Sequence, residues 1–157
     1  MIHPAALAHV NINVTDLERS EKFYTEVLGL KVAFKYPGAV AWLNFGQYRE
    51  DAHGLGFGFH DVALYQVPNP LPQGYRTMAG LNHVAFELSK PEEIDQACNF
   101  LLSRSVEILK GPLVHKEDRS YYLYFKDPDG NVIELVSSTI SGWPQEFQKS
   151  GFRSKAD

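Results

Sequence analysis

The sequence has few of the features that mark secreted, membrane-spanning or nucleic-acid-binding proteins. A single cysteine, Cys98, among 157 residues excludes an internal disulfide framework and is typical of a reducing cytoplasm. The 15 basic residues are outnumbered by 19 acidic ones, so the chain lacks the positive charge that nucleic acid requires. No apolar run approaches the roughly 20 residues of a membrane span, and the start resembles no signal peptide. We therefore expect a cytoplasmic protein without nucleic-acid or membrane partners.

An internal repeat is the most informative feature that the sequence does contain. The segment LAHV at residues 7–10 recurs as LNHV at residues 81–84, 74 positions later. In both copies apolar residues alternate after the histidine, which predicts a strand with one buried face. Each strand runs into a hydroxyl residue followed three positions later by Glu, namely Thr15 with Glu18 and Ser89 with Glu92. This spacing predicts a capping box at the start of a helix.

The pattern continues in the same order in both halves of the chain. Helices are predicted at 16–28 and 91–104, each followed by three strands, while glycine-rich 54–58 is predicted as a loop or bulge. The strands are predicted at 31–36, 40–45 and 61–67, and at 106–109, 121–126 and 131–137. The prediction is an α+β protein with βαβββ modules at 1–68 and 81–138, a crossover linker at 69–80 and a polar tail at 139–157.

Three residues of metal-ligand type occupy notable positions in this repeat. His9 and His83 are equivalent, and Glu134 lies in the apolar strand NVIEL. A buried, unpaired carboxylate costs several kcal/mol, so Glu134 needs a cation or a strong hydrogen-bonding partner. Two imidazoles and one carboxylate bind a divalent metal while leaving positions open for substrate. The alternative is that the histidines are structural and Glu134 pairs with a basic residue, but the repeated placement favours a metal site.

The segments HVNINVTDLERSEKFY at 9–24 and DPDGNVIEL at 127–135 resemble the vicinal oxygen chelate superfamily. This group includes glyoxalase I, fosfomycin-resistance enzymes, bleomycin-resistance proteins and extradiol ring-cleaving dioxygenases, and the resemblance covers about residues 5–138. It implies that the modules form a cupped sheet or incomplete barrel around a metal bound by His9, His83 and Glu134. It also implies a small-molecule substrate that binds through vicinal oxygens, and a homodimer is common among small members.

The resemblance leaves several reactions open. Glyoxalase I-type lyases carry a fourth, carboxylate ligand late in the last strand of the first module, where this chain has Leu64 or Tyr65. Fosfomycin-type thiol transferases place an Arg just beyond the ligand strand, but no basic residue follows Glu134 until Lys149. These two differences disfavour the lyase and the transferase.

Extradiol dioxygenases place a Tyr ten residues and a His about nineteen residues before the Glu ligand, and Tyr124 and His115 stand there. We therefore expect a dioxygenase-like enzyme that uses Fe(II), with Mn, Ni or Zn as alternatives and Tyr124 and His115 as catalytic residues. Against this, the acid–base histidine of those enzymes has no counterpart near 68–69. His115 could equally be an exposed loop residue.

A non-enzymatic function is the alternative of a different class. The cleft could sequester an aromatic small molecule, since several aromatic residues fall on predicted strands, namely Trp42, Phe45, Tyr65, Tyr122 and Tyr124. The remaining histidines, at positions 3, 53 and 60, show no partner pattern and are expected at the surface or in loops.

Overall fold

Two four-stranded sheets carry the fold, and each belongs to one of two units of the chain. The computed structural model describes residues 1–3, 7–47, 49–50, 56–57 and 59–139. The first unit comprises Met1–Met78 with Asp127–Asn131, and the second comprises Ala79–Lys126 with Val132–Asp157. Among the described residues, no helix is long and apolar enough to cross a membrane.

The first unit contains one βαβββ module. Its sheet has the order β1-β6-β3-β2, in which β1 and β6 run parallel and the other neighbours antiparallel. The elements are β1 Val10–Val14, α1 Leu17–Glu26, β2 Lys31–Tyr36, β3 Val40–Asn44, β4 Arg49–Glu50, β5 Gly56–Phe57 and β6 Val62–Gln66. Strands β4 and β5 pair as a separate two-stranded sheet, and a short 3-10 helix at Tyr75–Thr77 follows β6.

The second unit repeats this arrangement. Its sheet has the order β7-β10-β9-β8, with β7 and β10 parallel and the other neighbours antiparallel. The elements are β7 Val84–Glu87, α2 Glu92–Ser103, β8 Ile108–Val114, β9 Tyr121–Lys126 and β10 Val132–Ser137. The predicted α+β class with two βαβββ modules is confirmed.

One face of each sheet is covered by the helix of its own module. In the second unit α2 packs on β8, β9 and β10, and buries Ile94 and Leu101. The strand residues that face the helix are apolar and buried, namely Leu123, Phe125, Ile133 and Leu135. Burying each such side chain contributes about 1.5–3 kcal/mol. Because side chains alternate along a strand, the even-numbered residues of β9 and β10 point to the opposite face.

Both predicted capping boxes are wrong. Helix α1 is capped by Asp16, whose carboxylate accepts from the Arg19 N–H, while Thr15 donates to Asp129 instead. Helix α2 begins after Pro91, which has no side chain able to cap, and Glu93 accepts from the Lys90 N–H. In α1 a tertiary contact accounts for the difference, because Asp129 engages Thr15 and leaves the neighbouring Asp16 as the cap.

Two other elements differ from their predicted extents. Strand β8 runs from Ile108 to Val114, well beyond the predicted 106–109, and its register is interrupted between Lys110 and Leu113. Within the segment predicted as a glycine-rich loop, Gly56–Phe57 forms β5, and residues 54, 55 and 58 lie outside the described residues. The predicted tail also lies outside them from residue 140 onward.

The turn Asp127–Asn131 joins β9 to β10 and belongs to the first unit. Asp129, whose side chain is 5% exposed, accepts hydrogen bonds from the Thr15 N–H at 3.0 Å, the Arg19 guanidinium at 2.9 Å and the Ser20 hydroxyl at 3.0 Å. Burial acts to raise the pKa of Asp129, but these hydrogen bonds outweigh burial and lower it overall.

We predict that Asp129→Asn lowers the free energy of unfolding by about 2 kcal/mol at neutral pH, because a neutral amide cannot accept from these three donors and from the Thr15 hydroxyl together. Urea unfolding measures this loss. The folded-state pKa of Asp129 lies below its unfolded value of about 3.9, so its stabilisation is present above that pH. The difference in the free energy of unfolding between wild type and Asp129→Asn should therefore become smaller as the pH falls through the folded-state pKa of Asp129.

Glu26→Gln is the control for this substitution, because Glu26 is exposed in the same unit and the change also removes one negative charge. It should change the free energy of unfolding by less than about 0.5 kcal/mol. Equal effects of the two substitutions would contradict the assigned role of Asp129.

Candidate functional site

The site is built around a carboxylate buried in the middle of β10. Glu134 is 5% exposed, and its neighbours on the same strand, Ile133 and Leu135, face the helix-covered side. The strand register places Tyr124 of β9 opposite Glu134 on one side and Ala85 of β7 on the other. The Glu134 side chain therefore lies on the face of the sheet that α2 does not cover.

Two histidines bind the two oxygens of this carboxylate. His83 Nε2 lies 2.9 Å from Glu134 Oε2, and His115 Nε2 lies 3.1 Å from Glu134 Oε1. His83 directly precedes β7, the parallel neighbour of β10, while His115 directly follows β8. Both imidazoles are partly exposed, so the side of Glu134 that they occupy is open to small molecules.

Asn82 fixes the orientation of the His83 ring. Its side-chain oxygen lies 2.8 Å from His83 Nδ1 and can only accept, so Nδ1 is the nitrogen that donates. When a metal is bound to the neutral imidazole, this leaves the lone pair that binds it on Nε2, the atom that faces Glu134. Metal-binding histidines are usually held in this way by a hydrogen bond from their other nitrogen. Asn82 lies in the repeated segment LNHV, but no sequence pattern predicts its contact with His83.

The geometry of the His83–Glu134 pair fits a metal site. Ligand atoms bonded at about 2.1 Å and at right angles around a metal lie about 3 Å apart. The 2.9 Å between His83 Nε2 and Glu134 Oε2 matches this separation. Such a pair would hold one edge of an octahedral ion.

The backbone of β8 and the following turn place His115. Gly111 in the irregular part of β8 has φ +95°, and a Cβ there would lie 2.5 Å from the Tyr122 carbonyl oxygen, so only glycine fits. The His115 ring stacks on Tyr122 with centroids 3.7 Å apart, and the backbone N–H of His115 donates to the Ser120 carbonyl. His115 is therefore a half-buried residue in contact with Glu134, and the alternative of an exposed loop histidine is wrong.

Tyr124 completes the group around Glu134. Burial, followed by the charge of Glu134 and a hydrogen bond to it, raises the pKa of Tyr124 to about 12. Its ring meets His83 edge-on with centroids 5.2 Å apart. The phenol is therefore protonated at neutral pH and serves as a hydrogen-bond donor.

His9 belongs to the first unit, where it takes part in a row of rings. The centroids of His9 and His60 are 4.3 Å apart, and His60 stacks on Trp42 at 4.8 Å with an interplanar angle of 13°. Burial, together with the proximity of His9, lowers the pKa of His60. His60 lies in the loop before β6, as expected, and its stacking on Trp42 leaves no spacing signal in the sequence.

Of the five predicted site residues, the second unit brings together His83, Glu134, His115 and Tyr124, and His9 lies in the first unit. Within the described ranges, no group of three or more His, Cys, Asp or Glu side chains is arranged to hold a metal ion. The three-ligand set of His9, His83 and Glu134 therefore stays a prediction.

Comparison with known proteins identifies the class to which this fold and site correspond. The sequence pattern that defines the Glyoxalase/Bleomycin resistance protein/Dioxygenase superfamily matches residues 6–135, so the chain belongs to this superfamily. The chain is 30% identical to a lactoylglutathione lyase of Schizosaccharomyces pombe over 151 residues, which are 85% of this chain and 47% of that protein. It thus spans about half the length of that relative.

Relatives with two other activities match equally well. The identity is 30% to biphenyl-2,3-diol 1,2-dioxygenase 3 of Rhodococcus globerulus, over 82% of this chain and 61% of that protein. It is 31% to metallothiol transferase FosB of Staphylococcus epidermidis, over 84% and 81%. Among solved structures, an integron cassette protein from a Halifax Harbour sewage metagenome has a TM-score of 0.64 and 25% identity, covering 85% of this chain and 99% of that one.

We predict that Asn82→Ala weakens the affinity of the protein for a divalent metal about 10- to 100-fold, because the His83 ring loses the hydrogen bond that orients it. Titration with Co(II), followed by its visible absorption, measures this affinity. Asn99→Ala on the exposed side of α2 is the matched control and should leave the affinity unchanged. If both variants keep the wild-type affinity for the metal, Asn82 does not orient His83 for metal binding.

Proposed function

We propose that the protein is a metal-dependent enzyme whose divalent metal, Fe(II) in preference to Mn, Ni or Zn, is held by His9, His83 and Glu134. The observation that carries the proposal is the 2.9 Å pair of His83 Nε2 and Glu134 Oε2, with His83 Nδ1 anchored to Asn82. The buried Glu134 carboxylate and the His83 imidazole at its Oε2 supply two donors that suit such an ion. We include His9 among the ligands because it occupies the position equivalent to His83 in the repeat.

We propose further that the reaction is extradiol ring cleavage of a small catechol-like substrate, in which both atoms of O₂ enter the product. A divalent metal, when bound, would supply polarisation of two adjacent substrate oxygens and a site for O₂. Tyr124 would donate a hydrogen bond from its hydroxyl to a substrate oxygen. His115, held by Tyr122 and Glu134, would carry a proton at Nε2 near the same oxygens.

The first sheet supports this choice over a glyoxalase I-type lyase. Strand register pairs Tyr65 with Asn13, so Tyr65 lies on the same sheet face as His9 and Asn11, while Leu64 is buried on the helix-covered face. The residue at the fourth-ligand position on the His9 face is therefore a tyrosine. A lyase of this type would need a carboxylate base at position 64 or 65 to move the substrate's proton. Neither Leu64 nor Tyr65 supplies one.

A fosfomycin-type thiol transferase has less support. The residues that follow Glu134 on its strand and just beyond it are uncharged as far as Thr139, the last described residue of this stretch. An anionic phosphonate would have no cation there to bind it.

We propose a cytoplasmic homodimer with a small-molecule substrate. The free thiol of Cys98 supports a reducing compartment, and partition of the candidate ligands between two units makes sharing of sites between two chains feasible. Each chain has a mass of 17.7 kDa, so light scattering distinguishes the dimer from a monomer.

We predict that His9→Ala, His83→Ala and Glu134→Gln each abolish stoichiometric metal binding while the protein stays folded, because each removes one of three donors. Plasma emission measures the metal content, and circular dichroism shows whether each variant is folded. A mixing experiment tests whether sites are shared between chains, by unfolding and refolding the His9→Ala and Glu134→Gln variants together. In each mixed dimer one of the two shared sites would be intact. Because about half of the dimers are mixed, about a quarter of the wild-type metal content should return.

A mixture that binds no metal, from variants that are dimeric and folded, places each site within one chain. A monomer mass by light scattering contradicts the dimer. Retention of one metal per chain in the triple variant contradicts the ligand assignment itself.

We predict that Fe(II)-loaded protein, prepared without oxygen, consumes O₂ with a catechol and forms a yellow ring-fission product. Tyr124→Phe should lower kcat about 100-fold with a smaller change in KM, because the hydroxyl acts on the reacting oxygens. Tyr121→Phe is the matched control, since Tyr121 lies on the opposite face of β9 and its hydroxyl donates to Asp95.

No product with any catechol of a panel, together with turnover of methylglyoxal and glutathione on Ni or Zn, would assign the protein to lyase chemistry instead. Catechol binding that persists with a chelator present and without any turnover would identify a binding protein.

A further inference from the structure

The open face of the second sheet contains a cavity next to Glu134. It has a volume of about 250 Å³ and is lined by Ala85, Glu87, Asp118, Ser120, Val136 and Ser138. All six residues belong to the second unit. A cavity of this size holds a short substituent rather than a whole substrate.

The strand register shows how close this cavity lies to the candidate site. Ala85 is the residue directly opposite Glu134, and Val136 lies two positions after Glu134 on the same strand. Val136 is in turn opposite Glu87. Side chains two positions apart point to the same face, so the cavity begins at the next pair of side chains beyond Glu134.

The polar lining of the cavity is entirely acidic or neutral. The Glu87 side chain makes no hydrogen bond or ion pair within the part of the chain that the structure describes. Asp118 is held in place, because its Oδ1 accepts from the Ser120 N–H at 2.9 Å and the Ser120 hydroxyl at 2.8 Å. Among the residues that the structure describes, the lining therefore presents two carboxylates, two hydroxyls and no basic side chain.

We propose that this cavity selects substrates by charge, and that it takes a substituent carrying a protonated amine. The proposal rests on the proposed function, since it assumes that the reacting oxygens of the substrate lie at Glu134. An ammonium group would bind between Glu87 and Asp118, as a cation does between two carboxylates. A carboxylate or phosphonate substituent would meet the same two groups with no cation to offset the repulsion.

Glu87 and Asp118 are then specificity-determining residues and take no part in the chemistry at Glu134. They come from different elements, β7 and the turn between β8 and β9. The Ser120 hydroxyl donates its proton to Asp118, so its oxygen can accept a hydrogen bond from an ammonium group as well.

The test measures binding of three catechols to anaerobic Fe(II)-loaded protein by isothermal titration. Dopamine is cationic, ethylcatechol is neutral and dihydroxyphenylacetate is anionic, while the ring and its two oxygens are shared. We expect dopamine to bind about tenfold more tightly than dihydroxyphenylacetate, with ethylcatechol between them. The double variant Glu87→Gln with Asp118→Asn should bring this ratio close to one.

Two further variants separate the cavity from general effects. Glu87→Gln alone, at an exposed position whose side chain makes no hydrogen bond or ion pair with the described residues, should reduce the ratio about threefold and guards against misfolding of the double variant. Glu92→Gln, in the exposed first turn of α2, removes one charge from the same unit away from the cavity and should leave the ratio unchanged. A wild-type ratio near one, or a ratio that the double variant keeps, would overturn the proposal.

A second series makes failure of this proposal distinguishable from failure of ring cleavage. Phenethylamine and phenylacetate lack the vicinal oxygens, so their relative affinity reports the cavity without requiring a metal. A preference for phenethylamine that Glu87→Gln reduces supports charge selection even if no catechol is cleaved. Cleavage of catechols without any charge preference overturns charge selection and leaves the proposed reaction standing.

Discussion

The burial of the Glu134 carboxylate in an apolar strand is the constraint on which the second unit depends. Removing this group from water without partners would cost several kcal/mol, and each of its oxygens has an imidazole within 3.1 Å. The partners have to come from neighbouring strands, because residues beside Glu134 on β10 face the helix or lie too far along the strand. Accordingly, His83 directly precedes β7, Tyr124 lies opposite Glu134 on β9, and His115 directly follows the irregular β8.

The two modules share one topology and differ in the chemistry of their uncovered faces. The first carries a row of rings in which His60 lies between His9 and Trp42. The second carries a carboxylate, two imidazoles and a phenol. Backbone hydrogen bonding and the helix-covered cores maintain the shared fold, so the uncovered faces can differ without cost to it. Aromatic residues, at 13% of the chain, contribute to both faces.

The fold and two site residues, His83 and Glu134, could be predicted from the repeat and the strand pattern of the sequence. Tyr124 and His115 could be predicted from the family resemblance. Alternation located β2 and β9 to the residue, and the repeated histidine marked His83. Contacts between residues far apart in the chain leave no such pattern. Nothing near Thr15 indicates that Asp129 takes its hydroxyl, and nothing near His60 indicates Trp42. The contact of His115 with Glu134 follows from the irregular backbone at Gly111, whose φ of +95° no spacing predicts.

The place of Asp127–Asn131 in the first unit has a consequence for synthesis on the ribosome. Thr15 and Asp129 are separated by 114 positions, so the amino-terminal module emerges long before the turn that completes its hydrogen bonds. Chain elongation at roughly 5–20 residues per second makes this interval several seconds or more. During that time the Arg19 and Ser20 side chains lack their carboxylate partner, and the nascent module has to persist on its own apolar core. Final maturation of the first module is thereby tied to completion of the second.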